Sequence, residues 1–131
     1  VWSVTSYKKL YDNARETARV NRLKNTDKKN FIQENVGEDP GIFVAVSDFM
    51  KALPMNVSEW FPGTFQALGT DGFGLSDHRD ELREHFEINA RHIVWANLVS
   101  LHKEKKFSKK ALDEARKKLD IDADKALTGC F

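Results

Sequence analysis

The sequence predicts an α/β domain of three layers, in which a small, mostly parallel sheet is flanked by helices, with a mixed sheet left open. Three observations predict it. Ile42-Phe43-Val44-Ala45-Val46, closed by Ser47, is continuously apolar, as strands covered on both faces tend to be. Residues 64–70 form a second β-rich run, and Val1-Trp2-Ser3-Val4-Thr5 reads as a further, buried strand at the start. Around these runs the apolar residues recur at helical spacing, so strands alternate with helices in the manner of parallel βαβ units, with a helical pair at the end.

The helices follow in order. Residues 6–23 carry Tyr7, Leu10, Ala14 and Ala18 along one stripe, with Ser6 as the cap. Residues 25–40 are polar, with one short helix expected near 28–34 and a turn at Pro40-Gly41. Ser47 or Asp48 caps a helix over 49–61, which Pro54 should kink or restart. Residues 77–86 form the next helix and 87–89 a connector. A long helix over 90–103 follows, and a last one over 108–119 sets Ala111, Leu112, Ala115 and Leu119 at helical spacing. The tail, 120–131, is expected to be loose or packed on a neighbour.

Composition bounds the function. The 131 residues make a single domain, 1–131, with 40% hydrophobic residues and a net charge of +1 from 21 basic and 20 acidic side chains. So balanced a charge supplies no field for nucleic acid or an anionic membrane, and no apolar run approaches a membrane span. The basic residues of the first helix are interrupted by Asp12 and Glu16 and lack interleaved aromatics, so they read as a solvated face. Cys130 is the only cysteine, which forbids an intrachain disulfide and leads us to expect a reducing, cytoplasmic setting. The chain opens without Met in what reads as mid-sheet. The expectation is a fragment of a longer polypeptide.

The chain is organised around Ala67-Leu68-Gly69-Thr70-Asp71-Gly72-Phe73-Gly74-Leu75-Ser76-Asp77. A strand ends, a glycine-punctuated turn follows, and a helix opens with Ser76 or Asp77 as cap and Asp80 and Glu81 in its first turn. Such a junction forms the carboxyl edge of an α/β sheet. The glycines permit positive φ and close backbone approach, and Phe73 between two of them needs a surface to bury in, inside the domain or outside it. A phosphate cradle does not fit: the spacing is not G-x-G-x-x-G, no P-loop lysine is present, and Asp77, Asp80 and Glu81 would repel an anion. The acidic residues also lack EF-hand spacing. A structural or interdomain loop is the better reading.

Catalytic candidates are scarce. His78, His85 and His92 are spaced by seven, but the connector at 87–89 should keep them from sharing one helix face, and no converging metal partners are evident. Cys130 has no local histidine to activate it. The carboxylates of residues 77–84 read as helix-start charges.

The order of blocks Val1-Trp2-Ser3-Val4-Thr5-Ser6, Ser47-Asp48-Phe49-Met50-Lys51, Leu68 to Asp77, and Arg79 with Leu82-Arg83-Glu84-His85-Phe86-Glu87-Ile88-Asn89 resembles a known family. It is similar to the carboxyl-terminal domain of the homodimeric, bacterial-type decarboxylating component of the pyruvate dehydrogenase complex, and more distantly to that of transketolases. The resemblance runs over essentially the whole chain. It implies a transketolase C-terminal-like fold and a parent enzyme that uses thiamine diphosphate and magnesium to decarboxylate pyruvate and reductively acetylate a lipoyl group. The parent's cofactor lies between other domains, so no cofactor, metal or catalytic residue is expected in this piece. Thr70-Asp71-Gly72 with Asn97 imitates a thiamine diphosphate motif only loosely, because its first glycine is missing.

The resemblance also implies partners: the cofactor-binding domains of the parent chain, a second subunit, and the dihydrolipoyl acetyltransferase component. Thr70, Asp71, Phe73, Gly74, Ser76, Asp77 and Arg79 are the candidates for the interdomain or dimer interface, with Asp71 satisfying backbone donors or a basic residue and Phe73 filling an apolar gap. Two departures stand out. The family domain opens with a strand and helix upstream of Val1, and Leu75 stands where a basic residue is expected. The alternatives are a non-catalytic binding module for the acetyltransferase and a freestanding small-ligand domain.

Overall fold

A computed structural model describes residues 1–126. Its elements are α1 (Tyr7–Lys24), α2 (Phe31–Val36), β1 (Ile42–Val46), α3 (Ala52–Met55), a 3-10 turn (Ser58–Trp60), β2 (Thr64–Leu68), α4 (Arg79–His85), α5 (Ala90–Lys103) and α6 (Lys109–Lys118). The fold is α/β, with helices around a small parallel sheet.

α1 begins where Ser6 accepts the amide of Lys9, and it ends at Asn25 in the left-handed region (φ 49°). Asn21 then shapes the exit, its carboxamide donating to the carbonyl of Lys28 and accepting from that residue's amide. α2 starts in a capping box, Asn30 with Gln33, later than the expected 28–34 because that reciprocal pair sets the boundary.

β1 and β2 pair in parallel, Ile42 opposite Thr64 through Val46 opposite Leu68. Gln66 reaches Ser100 and Thr64 donates to Glu104 at 2.8 Å, so this face of β2 meets α5. Side-chain alternation sends Phe65 to the other face. There Phe61 lies between Phe43 and Phe65, with ring centroids 5.0 and 4.8 Å away. Trp60 of the 3-10 turn meets Tyr11 of α1 (5.9 Å between centroids), which ties α1 to the crossover between the strands. Leu112 of α6 and Ala96 of α5 are buried with Ala14, Ile32 and Val57.

Two expectations need correction. Val1 to Thr5 is not a strand; Val1, Trp2 and Val4 are exposed, and the sheet described has two strands. An alternating apolar segment becomes a strand only when a neighbour completes its backbone hydrogen bonds, and neither β1 nor β2 does so here. The helix expected over 49–61 is also much shorter. Pro54 lies in the first turn of α3, where its missing N–H is harmless, but its ring forbids a helical carbonyl at Met50. Phe49 and Met50 therefore stay outside the helix, and the Leu53 amide bonds the Met50 carbonyl instead.

After α6 the chain returns to α4. Lys125 Nζ donates to the carbonyls of Glu84 (2.6 Å) and His85 (3.1 Å), at the C-terminal end of α4. Arg91 of α5 joins Glu84 to the Leu119 and Asp120 carbonyls. The first part of the expected tail is thus tied down, while Cys130 lies outside the described residues. No described helix is long and apolar enough to cross a membrane.

Candidate functional site at the carboxyl ends of the strands

The two strands end side by side, and the loops that follow them are joined by backbone contacts. Ser47 N donates to Leu68 O (3.1 Å), and Thr70 N donates to Phe49 O (2.9 Å). Between these bonds sits Gly69, which is buried. A Cβ there would lie 2.4 Å from the Phe49 carbonyl oxygen, so close backbone approach itself demands glycine. Gly72 takes φ +79°, whereas a Cβ on Gly74 would meet nothing within 4 Å.

Asp71 completes the junction. One carboxylate oxygen accepts from the Lys51 amide at 2.9 Å, and the other lies 3.0 Å from the Lys51 ammonium. Lys51 is the N-cap residue of α3 and makes no side-chain cap of its own. One donor at that helix start, the Lys51 amide, is thus met from a loop twenty residues away. The Lys51 amide holds the Asp71 carboxyl below its ordinary range; burial opposes it, and the Lys51 ammonium adds to the lowering.

Beyond Asp71 the chain stands in solvent. Phe73 is 89% exposed and Leu75 55%, so Phe73 finds no apolar gap within the described residues. Phe49 and Met50, on the adjoining loop, are 60% and 50% exposed. Ser76, Asp77 and Arg79 are exposed as well. The expected capping by Ser76 or Asp77 is corrected: His78 is the N-cap of α4 without a side-chain cap bond, because Asp77 bonds the His78 amide (2.7 Å), ahead of the helix. Asp80 and Glu81 do lie in the first turn, and Arg79 opens it.

The histidines diverge in role. His78 precedes α4, His85 ends it against the ring of Phe86, and His92 is buried in α5 beside Asn89. Burial pushes the His92 imidazole down, opposed by Glu84 and Glu87 and assisted by Lys125 and Arg91. Among the described residues no group of three His, Cys, Asp or Glu side chains could hold a metal ion. Asn97 donates to the Ile93 carbonyl within α5 (2.8 Å), and both Asp71 oxygens face Lys51. These donors do not fit thiamine diphosphate and magnesium.

The two cavities described lie beside this junction rather than in it. One, about 400 Å³, runs between α1 and the 3-10 turn at Arg15, Arg19 and Trp60; the other, about 220 Å³, lies between β2 and α5 at Gln66, His92 and Trp95. What sequence reasoning missed is the second loop, Phe49 to Lys51. Its signal was Pro54, four residues after Met50.

Residues 1–89 match the family described as the Transketolase-like TK C-terminal domain. The chain belongs to that family. It is 40% identical over 128 residues to the pyruvate dehydrogenase E1 component of Buchnera aphidicola subsp. Schizaphis graminum, covering 95% of this chain and 14% of that protein. The protein of the same name from Escherichia coli K12 is 38% identical over the same shares, and that of Mycolicibacterium smegmatis is 35% identical over 93% of this chain and 13% of its own length. The chain thus spans about one-seventh of the length of these curated relatives.

Proposed function

We propose that this chain is the carboxyl-terminal scaffold domain of a thiamine diphosphate-dependent pyruvate dehydrogenase decarboxylating component. The observation that carries this reading is identity of 35–40% to such components over nearly the whole chain. In this reading the longer enzyme decarboxylates pyruvate and acetylates a lipoyl group in the cytoplasm, with thiamine diphosphate and magnesium held by other domains. The interface comprises Thr70, Asp71, Phe73, Gly74, Ser76, Asp77 and Arg79. Its neighbours are the cofactor-binding domains, a second subunit and, in the assembled complex, the acetyltransferase component.

Within that interface the roles divide. Thr70 and Asp71 hold the loop to its own domain, and the exposed Phe73 meets the partner. The test uses the complete polypeptide with thiamine diphosphate and magnesium. Pyruvate-dependent carbon dioxide release is expected from the complete polypeptide and not from residues 1–131. Turnover by residues 1–131 alone, or none by the complete polypeptide, overturns the reading.

A further inference from the structure

The sequence points to one loop, yet the fold presents two. Asp71 binds both the amide and the ammonium of Lys51, and Thr70 binds the Phe49 carbonyl, so the Phe49-Met50 turn cannot move independently of the segment that leads to Phe73. The polar groups of this junction face each other. The large apolar ones, Phe49, Met50, Phe73 and Leu75, face solvent. Exposed aromatic and methionine side chains on two loops joined by an internally satisfied polar latch have the composition of an interface core.

We propose that Phe49, Met50, Phe73 and Leu75 form one composite docking surface, held in register by the Lys51–Asp71 pair, whose occupant is another region of the same longer polypeptide. This rests on the reading that the chain is one domain of a larger enzyme. Two observations select that occupant. The relatives are about seven times longer than the part matched here, so most of such a polypeptide lies outside these residues. The rim is net acidic: Asp48, Asp77, Asp80 and Glu81 are exposed and make no ion pair among the described residues, and the exposed Arg79 and Arg83 of α4 offset them only in part. In a two-fold contact between copies this surface would meet itself, acid against acid. A different region, apolar at its centre and basic at its edge, fits better.

The test is hydroxyl-radical footprinting of the complete polypeptide, with residues 1–131 unfolded in denaturant as the reference for full reactivity. Phe49, Met50 and Phe73 should each be oxidised at least about fivefold more slowly in the complete protein, as expected for side chains in a water-excluded contact. Asp71→Ala should restore the reactivity of Phe49 and Met50 if the latch holds them in place. Protection of Phe73 with Phe49 and Met50 fully reactive overturns the composite surface but leaves the one-domain reading standing. Full reactivity of all of them, in a complete polypeptide that still turns over pyruvate, overturns docking through this face altogether. Protection that disappears on dilution to the monomer assigns the contact to a second subunit and overturns the stated occupant.

Discussion

The carboxylate of Asp71 caps the amide of Lys51 at 2.9 Å while its other oxygen lies 3.0 Å from the same residue's ammonium. One side chain from the loop after β2 therefore closes the start of α3, the helix that follows β1. Replacing it with alanine leaves that amide without its cap, at a cost of about 1 kcal/mol. For a domain of this size the melting temperature should fall by about 4 °C. Calorimetry of the variant checks this.

The same contact makes stability depend on acid. The folded-state pKa of Asp71 is depressed, so its contribution is fully present above the unfolded carboxylate value near 4 and is lost as pH falls through the lower folded value. Urea midpoints measured from pH 6 downward should decline less steeply in Asp71→Asn than in the wild type. Equal slopes would refute the assignment.

Gly69 and Gly74 should separate cleanly. Gly69→Ala forces a Cβ to 2.4 Å from a backbone carbonyl and should destabilise by about 1–3 kcal/mol, as overpacking does. Gly74→Ala meets open space and should fall within about 0.5 kcal/mol of wild type, as surface changes usually do. Chemical denaturation of the pair distinguishes steric demand from the mere presence of glycine.

His92 predicts a second pH effect in a different window. Its folded pKa is lowered, chiefly by burial, so the fold holds it neutral. Stability is fully present above the unfolded value of about 6.5 and is lost as pH falls through the depressed folded value. Glutamine at this position should flatten melting curves collected between pH 8 and 5, whatever it does to the absolute midpoint.

Lys125→Met removes the donor that serves two carbonyls at the end of α4 while keeping much of the side chain's length. A loss of about 1 kcal/mol is expected for these part-exposed hydrogen bonds. Amide exchange should quicken in α4 before it quickens in β1 or β2. Uniform acceleration would mean the strap does not act locally.

Much of this was legible in local chemistry. The apolar run at Ile42, the glycine-punctuated turn from Gly69 and the cap at Ser6 depend on neighbours in sequence, so they could be read without a fold. The failures were of two kinds, one tertiary and one local. Val1 to Thr5 has strand composition, but a strand needs a partner's backbone, and composition cannot say whether one is at hand. At α4 the expected cap shifted because Asp77 bonds the amide next to it.

By itself, then, the amino-acid order determined which segments could be helix or strand and where the glycine turn must fall, because periodicity, capping and turn chemistry act over a few residues; the order of its sequence blocks carried the family resemblance. Only the tertiary structure decided that Asp71 is satisfied by Lys51, that Gly69 is pinned beneath the Phe49 carbonyl, and that Phe73, like Phe49 and Met50, is left bare. Those relations join residues some twenty positions apart. They exist because the parallel pairing of β1 with β2 brings the two strand ends together.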